Sequence, residues 1–278
     1  MKLLRYGPVG QELPGALDAQ GNIRDLSVLV PDFTPDWMAP EKLSALAAVD
    51  LSRMPLVTPG MRLGAPVTGT RQFVAIGLNY RKHAEESGHE IPKEPVVFTK
   101  ATTCISGPND EVHLPDASVS TDWEIELGFV VSKVASKVPV AAALEYVAGY
   151  FLANDVSERD WQIKRNGQWG KGKSFPTFGP IGPWLVTADE LPDPQTIPLE
   201  LKVNGVVKQT SNTSDMIFSV PEILSYLSQF MTLLPGDLVI TGTPAGVGLG
   251  MKPPQFVKSG DLMELSAGVL GSQVQRVR

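Results

Sequence analysis

Cysteine is almost absent from this chain: its 278 residues include one, Cys104. A single thiol forms no intramolecular disulfide and leaves a Cys-type zinc site without ligands. A reducing compartment is expected. Charge is sparse as well, at 19% of residues, and leans acidic, with 24 Lys and Arg against 30 Asp and Glu for a net charge of -6. No Lys/Arg cluster supplies the electrostatic footprint that nucleic-acid binding needs. No apolar run approaches the roughly 18 residues of a membrane span, and the opening MKLLRYGPVG meets charge, glycine and proline before a signal-peptide core can form. These absences predict a cytoplasmic protein with neither a nucleic-acid nor a membrane partner, and they turn attention to small-molecule chemistry.

Apolar material is ample, at 42% of residues, so a packed globule follows. Its 26 Gly and 24 Pro point to many turns between short strands. The expected class is α+β and β-rich, not a helical bundle. Met54 to Pro66 has the composition of a connection, which divides the chain into a small N-terminal domain, 1–65, and a larger catalytic domain, 66–278. Asn204-Gly205 between two β-prone runs predicts a hairpin. Helices are expected at Pro40 to Val49, at Val140 to Val147 after Pro139, and at Ile223 to Phe230 after Ser219, Pro221 and Glu222.

The run Asp122-Trp123-Glu124-Ile125-Glu126-Leu127-Gly128 alternates strictly. In a strand, residues two apart share a face, so Glu124 and Glu126 project side by side. Like charges so close are unfavourable unless solvent or a cation lies between them, and hard divalent cations prefer carboxylate oxygens. The plain alternative is a solvent-facing strand. Asp155 follows the apolar run Val147 to Ala153, where Ser157 to Asp160 has the shape of a helix start with Ser157 as cap. It is either a turn residue or a third ligand beside the two Glu. In the same helix Arg159 and Gln162 would be neighbours.

His83 and Glu86 lie three apart, on one face of a helical turn, as a histidine base oriented by a carboxylate or as an ordinary surface contact. Residues 87–94 have the composition of a lid. Lys100 ends a β run, and Lys171 and Lys173 sit in a Gly-rich stretch; beside a metal they could meet a substrate carboxylate, and elsewhere they are solvated charge. The tract Thr241 to Gly248 (TGTPAGVG) could offer backbone amides to an anion, but it lacks the Gly-Lys-Ser/Thr of a phosphate loop.

Taken in order, these segments resemble the fumarylacetoacetate hydrolase family. The matching stretches are Gly77 to Tyr80 with His83 and Glu86, Phe98 to Lys100, the Glu124/Glu126 pair, Asn154 to Asp160, Lys173 to Phe175, and Thr241 to Pro244 with Gly246 and Gly248. The resemblance implies a mixed β-sandwich roll and a homodimer or dimer of dimers. It also implies Mg²⁺, with Mn²⁺ or Ca²⁺ able to replace it, held by Glu124, Glu126 and Asp155. His83 and Glu86 would then activate water, Lys173 would offset charge in the transition state, and Lys100, Arg159, Gln162 and Thr243 would contact substrate. The reaction implied is hydrolysis of the C3–C4 bond of a 2,4-dioxo acid (an acylpyruvate), yielding pyruvate. Asn154 to Gln162 and Lys171 to Pro183 are most similar to a branch that hydrolyses 2,4-diketo-3-deoxy sugar acids such as 2,4-didehydro-3-deoxy-L-rhamnonate, which would give lactate beside pyruvate. Lyase, decarboxylase, isomerase or dehydratase chemistry on a 2-oxo acid, ureidoglycolate lysis included, begins from the same metal-bound acid. A non-enzymatic ligand-binding protein is the rival from another class.

Overall fold

A computed structural model describes every residue except Ser87 and His89. The N-terminal segment forms β1 (Lys2–Tyr6), β2 (Leu13–Leu17), β3 (Ile23–Asp25), helix α1 (Pro40–Ala47) and β4 (Leu63–Gly64). The middle of the chain forms β5 (Phe73–Gly77), α2 (Arg81–Glu86), β6 (Val96–Lys100), β7 (Ile105–Ser106), β8 (Thr121–Asp122), β9 (Ile125–Val131), β10 (Val147–Asn154) and β11 (Ser157–Glu158). It continues through α3 (Gly170–Lys173), β12 (Gly179–Thr187), β13 (Pro198–Val203), β14 (Val206–Asn212), α4 (Val220–Phe230), β15 (Leu238–Ile240), β16 (Leu262–Ser266) and β17 (Ser272–Arg276). The expected α+β, β-rich class is what the chain adopts.

One mixed sheet runs β3-β2-β1-β12-β10-β9-β15-β5-β6, with β4 added beside β1 and β7 beside β12. β15 runs parallel to β5 and antiparallel to β9. Through the pairing of β1 with β12, residues 1–65 add strands to the same sheet, and Leu3, Phe33 and Phe73 share one buried cluster. A second sheet, β14-β13-β16-β17, lies beside the first. Three fully buried glutamines join the two: Gln209 accepts from Ile125 N, Gln273 donates to the Leu152 and Gly182 carbonyls, and Gln275 bonds Asn154. A buried amide is costly unless its hydrogen bonds are made. These are made, so the seam between the sheets has a fixed register.

Local signals account for much of the rest. The β13–β14 hairpin turns at Asn204 and Gly205, with φ of 51° and 75°, the left-handed pair that Asn-Gly adopts at least cost. Helix α4 begins as expected, with Ser219 N donating to Glu222 Oε2 at 2.7 Å. The expected helix after Pro139 is a 3-10 helix, Val140–Tyr146. Ser157 is not a helix cap. Ser157–Glu158 instead pairs with Thr121–Asp122, and a π-helical turn follows at Asp160–Lys164. The cap comes from across the pairing, where Ser120 Oγ accepts from Asp160 N at 3.0 Å.

Candidate metal centre

A gap in the strand ladder places the acids. Between β8 and β9, Glu124 N donates to Asn154 Oδ1 and Ile125 N to Gln209 Oε1, so side-chain amides stand in for a neighbouring strand. The parity read from the sequence survives this break, and Glu124 and Glu126 line one cavity. Asp155 follows directly on the end of β10 and donates its backbone N–H to the Glu124 carbonyl at 2.8 Å. One carboxylate oxygen from each of Glu124, Glu126 and Asp155 lies within 4.8 Å of the others, and all three residues are buried.

Three cations answer this charge. Lys173 Nζ bonds both Glu124 Oε2 (2.7 Å) and Asp155 Oδ2 (2.5 Å). Lys100 Nζ bonds Asp155 Oδ1 (2.5 Å) and the Phe178 carbonyl, so it supports the triad from within the protein and does not line the cavity. Arg159 joins Asp122 (2.8 Å) to Glu124 Oε1 (2.7 Å) and donates to Gln162 Oε1 (2.8 Å). Burial alone would raise the Glu124 carboxyl, but the Lys173 and Arg159 charges more than offset it and hold the group down to about 2. Glu126 is the exception. Among the described residues it has no ion-pair partner, and the donor it accepts from is Gly242 N at 2.7 Å. Burial, then Asp155 and Glu124, push its carboxyl well above the ordinary range.

Four buried acids, counting Asp122, therefore face three buried cations, and Glu126 is the acid left without one. A converging set of hard oxygen donors with one acid whose charge only a further cation would favour suits a divalent ion such as Mg²⁺, Mn²⁺ or Ca²⁺, and its all-carboxylate chemistry does not suit a soft metal.

His83 Nδ1 and Glu86 Oε2 are 3.4 Å apart on α2, and both residues line the same cavity as Glu124 and Glu126. The contact with His83, followed by burial and by the Gly246 amide acting in opposite senses, leaves the Glu86 carboxyl below its usual range. The lid expected at 87–94 rests partly on Ser87 and His89, which lie outside the described residues. The TGTPAGVG tract turns its amides toward the protein's own acids: Gly242 N to Glu126, Gly246 N to Glu86 (3.0 Å), and Gly248 N to Asp122 (2.7 Å), joined by Leu249 N to Asp122 (2.9 Å). These amides are used within the fold, which is why they offer no site to an outside anion. Thr243, on the cavity wall, donates to the Ile125 carbonyl and accepts from Gln209. Lys171 is exposed and turned to the Arg165 carbonyl.

The cavity is about 460 Å³, and Arg159, Gln162 and Lys173 also line it. Several of its residues had no assigned role in the sequence. Phe98, Trp169, Ile163, Val247, Leu249 and Met251 form apolar wall from separate segments, and although Phe98 and Val247 stood in stretches already noted, no local pattern announces the convergence. Asp122 is a different omission. It shares parity with Glu124 and Glu126, and that alternation was the signal for its inward orientation.

Residues 72–278 match the family model described as fumarylacetoacetate (FAA) hydrolase C-terminal. The chain belongs to the fumarylacetoacetate hydrolase family. It is 55% identical, over all of its own length and 99% of the other, to a Burkholderia lata protein bearing a provisional hydrolase name. Among solved structures it is similar to fumarylacetoacetate hydrolase from psychrophilic Exiguobacterium antarcticum, with a TM-score of 0.88, 35% identity, and coverage of 100% of this chain and 99% of that one. It is also similar to 5-carboxymethyl-2-hydroxymuconate delta-isomerase from Mycobacterium smegmatis, with a TM-score of 0.77, 32% identity, and coverage of 100% and 98%. The fumarylacetoacetate hydrolase fold thus extends over the whole chain, and its relatives include both hydrolases and isomerases. No helix among the described residues is long and apolar enough to cross a membrane.

Proposed function

We propose that this family member is a divalent-metal-dependent hydrolase of 2,4-dioxo acids. In that reaction water and R–CO–CH₂–CO–COO⁻ give R–COO⁻, a proton and pyruvate. The observation that carries the reading is a buried three-carboxylate cluster, two of whose members, Glu124 and Glu126, line the same cavity as a His83–Glu86 pair. A cation held by Glu124, Glu126 and Asp155 would supply positive charge to the substrate's carboxylate and 2-oxo oxygens. His83 takes a proton from water as the water oxygen bonds to C4, and Glu86 keeps the imidazole oriented and stabilises its charged form. When the C3–C4 bond breaks, its electron pair stays with C3, which accepts a proton and becomes the methyl group of pyruvate. Lys173 offers an ammonium, already set between two carboxylates, that offsets negative charge as it develops. Arg159 and Gln162 present N–H donors on the cavity wall for substrate oxygens.

The likeness in Asn154 to Gln162 and Lys171 to Pro183 selects 2,4-didehydro-3-deoxy-L-rhamnonate, cleaved to pyruvate and lactate, as the substrate to try first. The reading includes a homodimer or a dimer of dimers. The isomerase among the structural neighbours supports a second reading, rearrangement of a 2-oxo acid without added water. One experiment separates them. The Mg²⁺-loaded protein is incubated with a panel of 2,4-dioxo acids in H₂¹⁸O, and products are identified by mass. Hydrolysis gives pyruvate and an acid carrying one ¹⁸O. A product isomeric with the substrate, or no pyruvate from any member, overturns the hydrolase reading.

A further inference from the structure

Apolar side chains make up much of the cavity wall. The buried Glu124, Glu126, Lys173, Arg159, Gln162 and Thr243 share it with the buried Ile76 and Val247, whereas Ile163 and Leu249 are 49% and 40% exposed and mark the mouth together with the exposed Glu86 and Lys252. Leu78, Phe98, Ile163, Trp169, Leu249 and Met251 form an apolar collar on this wall from five separate segments. The aromatic part is built into the fold. Phe98 and Trp169 meet edge to face with centroids 5.5 Å apart, and a Cβ at Gly77 would stand 2.3 Å from Trp169 Cζ3. Glycine at position 77 therefore lets the indole lie against the end of β5. Apart from the acid cluster with its partners, the His83–Glu86 pair and Thr243, Lys252 is the polar side chain among the described residues of this lining.

A substrate anchored by its 2-oxo acid end must project its acyl group past this collar. Apolar groups placed there leave water together with the collar, at a gain of about 0.8 kcal/mol per methylene. A hydroxyl packed against these apolar side chains gives up water and finds no partner among them. Resting on the 2,4-dioxo acid reading above, we propose that the collar selects acylpyruvates with an apolar acyl end, alkyl or aryl. The terminal methyl of a deoxysugar acid is the smallest end that suits it, and a fully hydroxylated end is rejected.

Two measurements test this on the Mg²⁺-loaded protein. The first is calorimetric binding of unbranched 2-oxo acids from 2-oxobutanoate to 2-oxooctanoate, which contain no bond to hydrolyse. The second is pyruvate release from acylpyruvates of matching length and from a fully hydroxylated 2,4-dioxo acid. Affinity and kcat/KM should rise about fourfold per methylene until the collar is filled, and the hydroxylated acid should be the poorest substrate. Ile163→Asn and Leu249→Asn, both at partly exposed positions that tolerate polarity, should each reduce the pentanoyl-to-acetyl ratio of kcat/KM about tenfold. Flat dependence on chain length in both assays, or preference for the hydroxylated acid, overturns the proposal. Binding that rises with chain length while no acylpyruvate yields pyruvate upholds the collar and overturns the hydrolase reading alone.

Discussion

Replacing Glu126 with Gln should act with opposite signs on the metal-free and metal-loaded protein. Glu126 has no cationic partner among the described residues, and a Gln side-chain carbonyl can still accept from Gly242 N. Its carboxyl lies within 4.8 Å of acceptor oxygens on Glu124 and Asp155. At an effective dielectric constant of about 20, an ionised Glu126 would be repelled by each by about 3 kcal/mol, which is why these neighbours push its carboxyl upward and why a neutral Gln gives up no favourable charge there. Without metal, Glu126→Gln should therefore be at least as stable as the parent. With metal at 100 times its Kd, the parent gains about 2.7 kcal/mol of stability, on the order of 5 °C in a domain this size. The variant should lose most of that shift. Glu124→Gln provides the contrast within the same cluster, because Glu124 neutralises both Lys173 and Arg159. Its loss should destabilise the metal-free protein by about 2 kcal/mol or more. Thermal melts of parent and both variants in EDTA, Mg²⁺ and Mn²⁺ decide the matter. A Glu126→Gln protein that is weakened in EDTA, or that keeps the full metal-induced shift, would refute the charge assignment.

Three further outcomes follow from the same geometry. His83→Ala should lower kcat by about 10²–10⁴ while the Mg²⁺-induced melting shift persists; loss of that shift would show that His83 serves the metal and not the water. Asp122→Asn takes a charge from the Arg159 pair and an acceptor from the Gly248 and Leu249 amides, so urea unfolding should show a loss of about 2–4 kcal/mol, and parental stability would contradict its place as an anchor. Gly205→Val should cost about 1 kcal/mol or more, because a β-branched residue is forced to a φ of 75°; an unchanged denaturation midpoint would mean that the turn relaxes freely.

Much of this was legible in the sequence because it is written in short-range chemistry. Strand parity put Glu124 and Glu126 on one face, helical spacing joined His83 to Glu86, Asn204-Gly205 marked its hairpin, and Ser219 with Glu222 marked the start of α4. Where competing local solutions existed, tertiary pairing decided. Ser157 had the chemistry of a cap, but two residues of strand pairing with β8 took it, and Ser120 from across the pairing capped the turn in its place. Lys100 and Lys173 were equivalent as ordinary lysines; both are buried and both bond Asp155, and only the tertiary fold sets one behind the acids and the other on the cavity wall. The TGTPAGVG amides invited an anion in one dimension; in three, the anions are Glu126, Glu86 and Asp122. The apolar collar had no signature, since Phe98, the pair Ile163 and Trp169, and Leu249 come from distant parts of the chain, and the one that stood in a matching stretch, Phe98, was there without a role.

That glycine-rich strap bears on how such a protein changes over generations. It grips the three acids through main-chain amides at positions 242, 246, 248 and 249, whereas Val247, Leu249 and Met251 meet the ligand-facing space through side chains. Peptide N–H groups are the same whatever residue carries them, proline excepted. Mutation can therefore retailor the walls at 247, 249 and 251 while the machinery beneath them keeps its scaffold. Diversification of substrate range and conservation of chemistry are housed in one stretch of ten residues and assigned to different atoms.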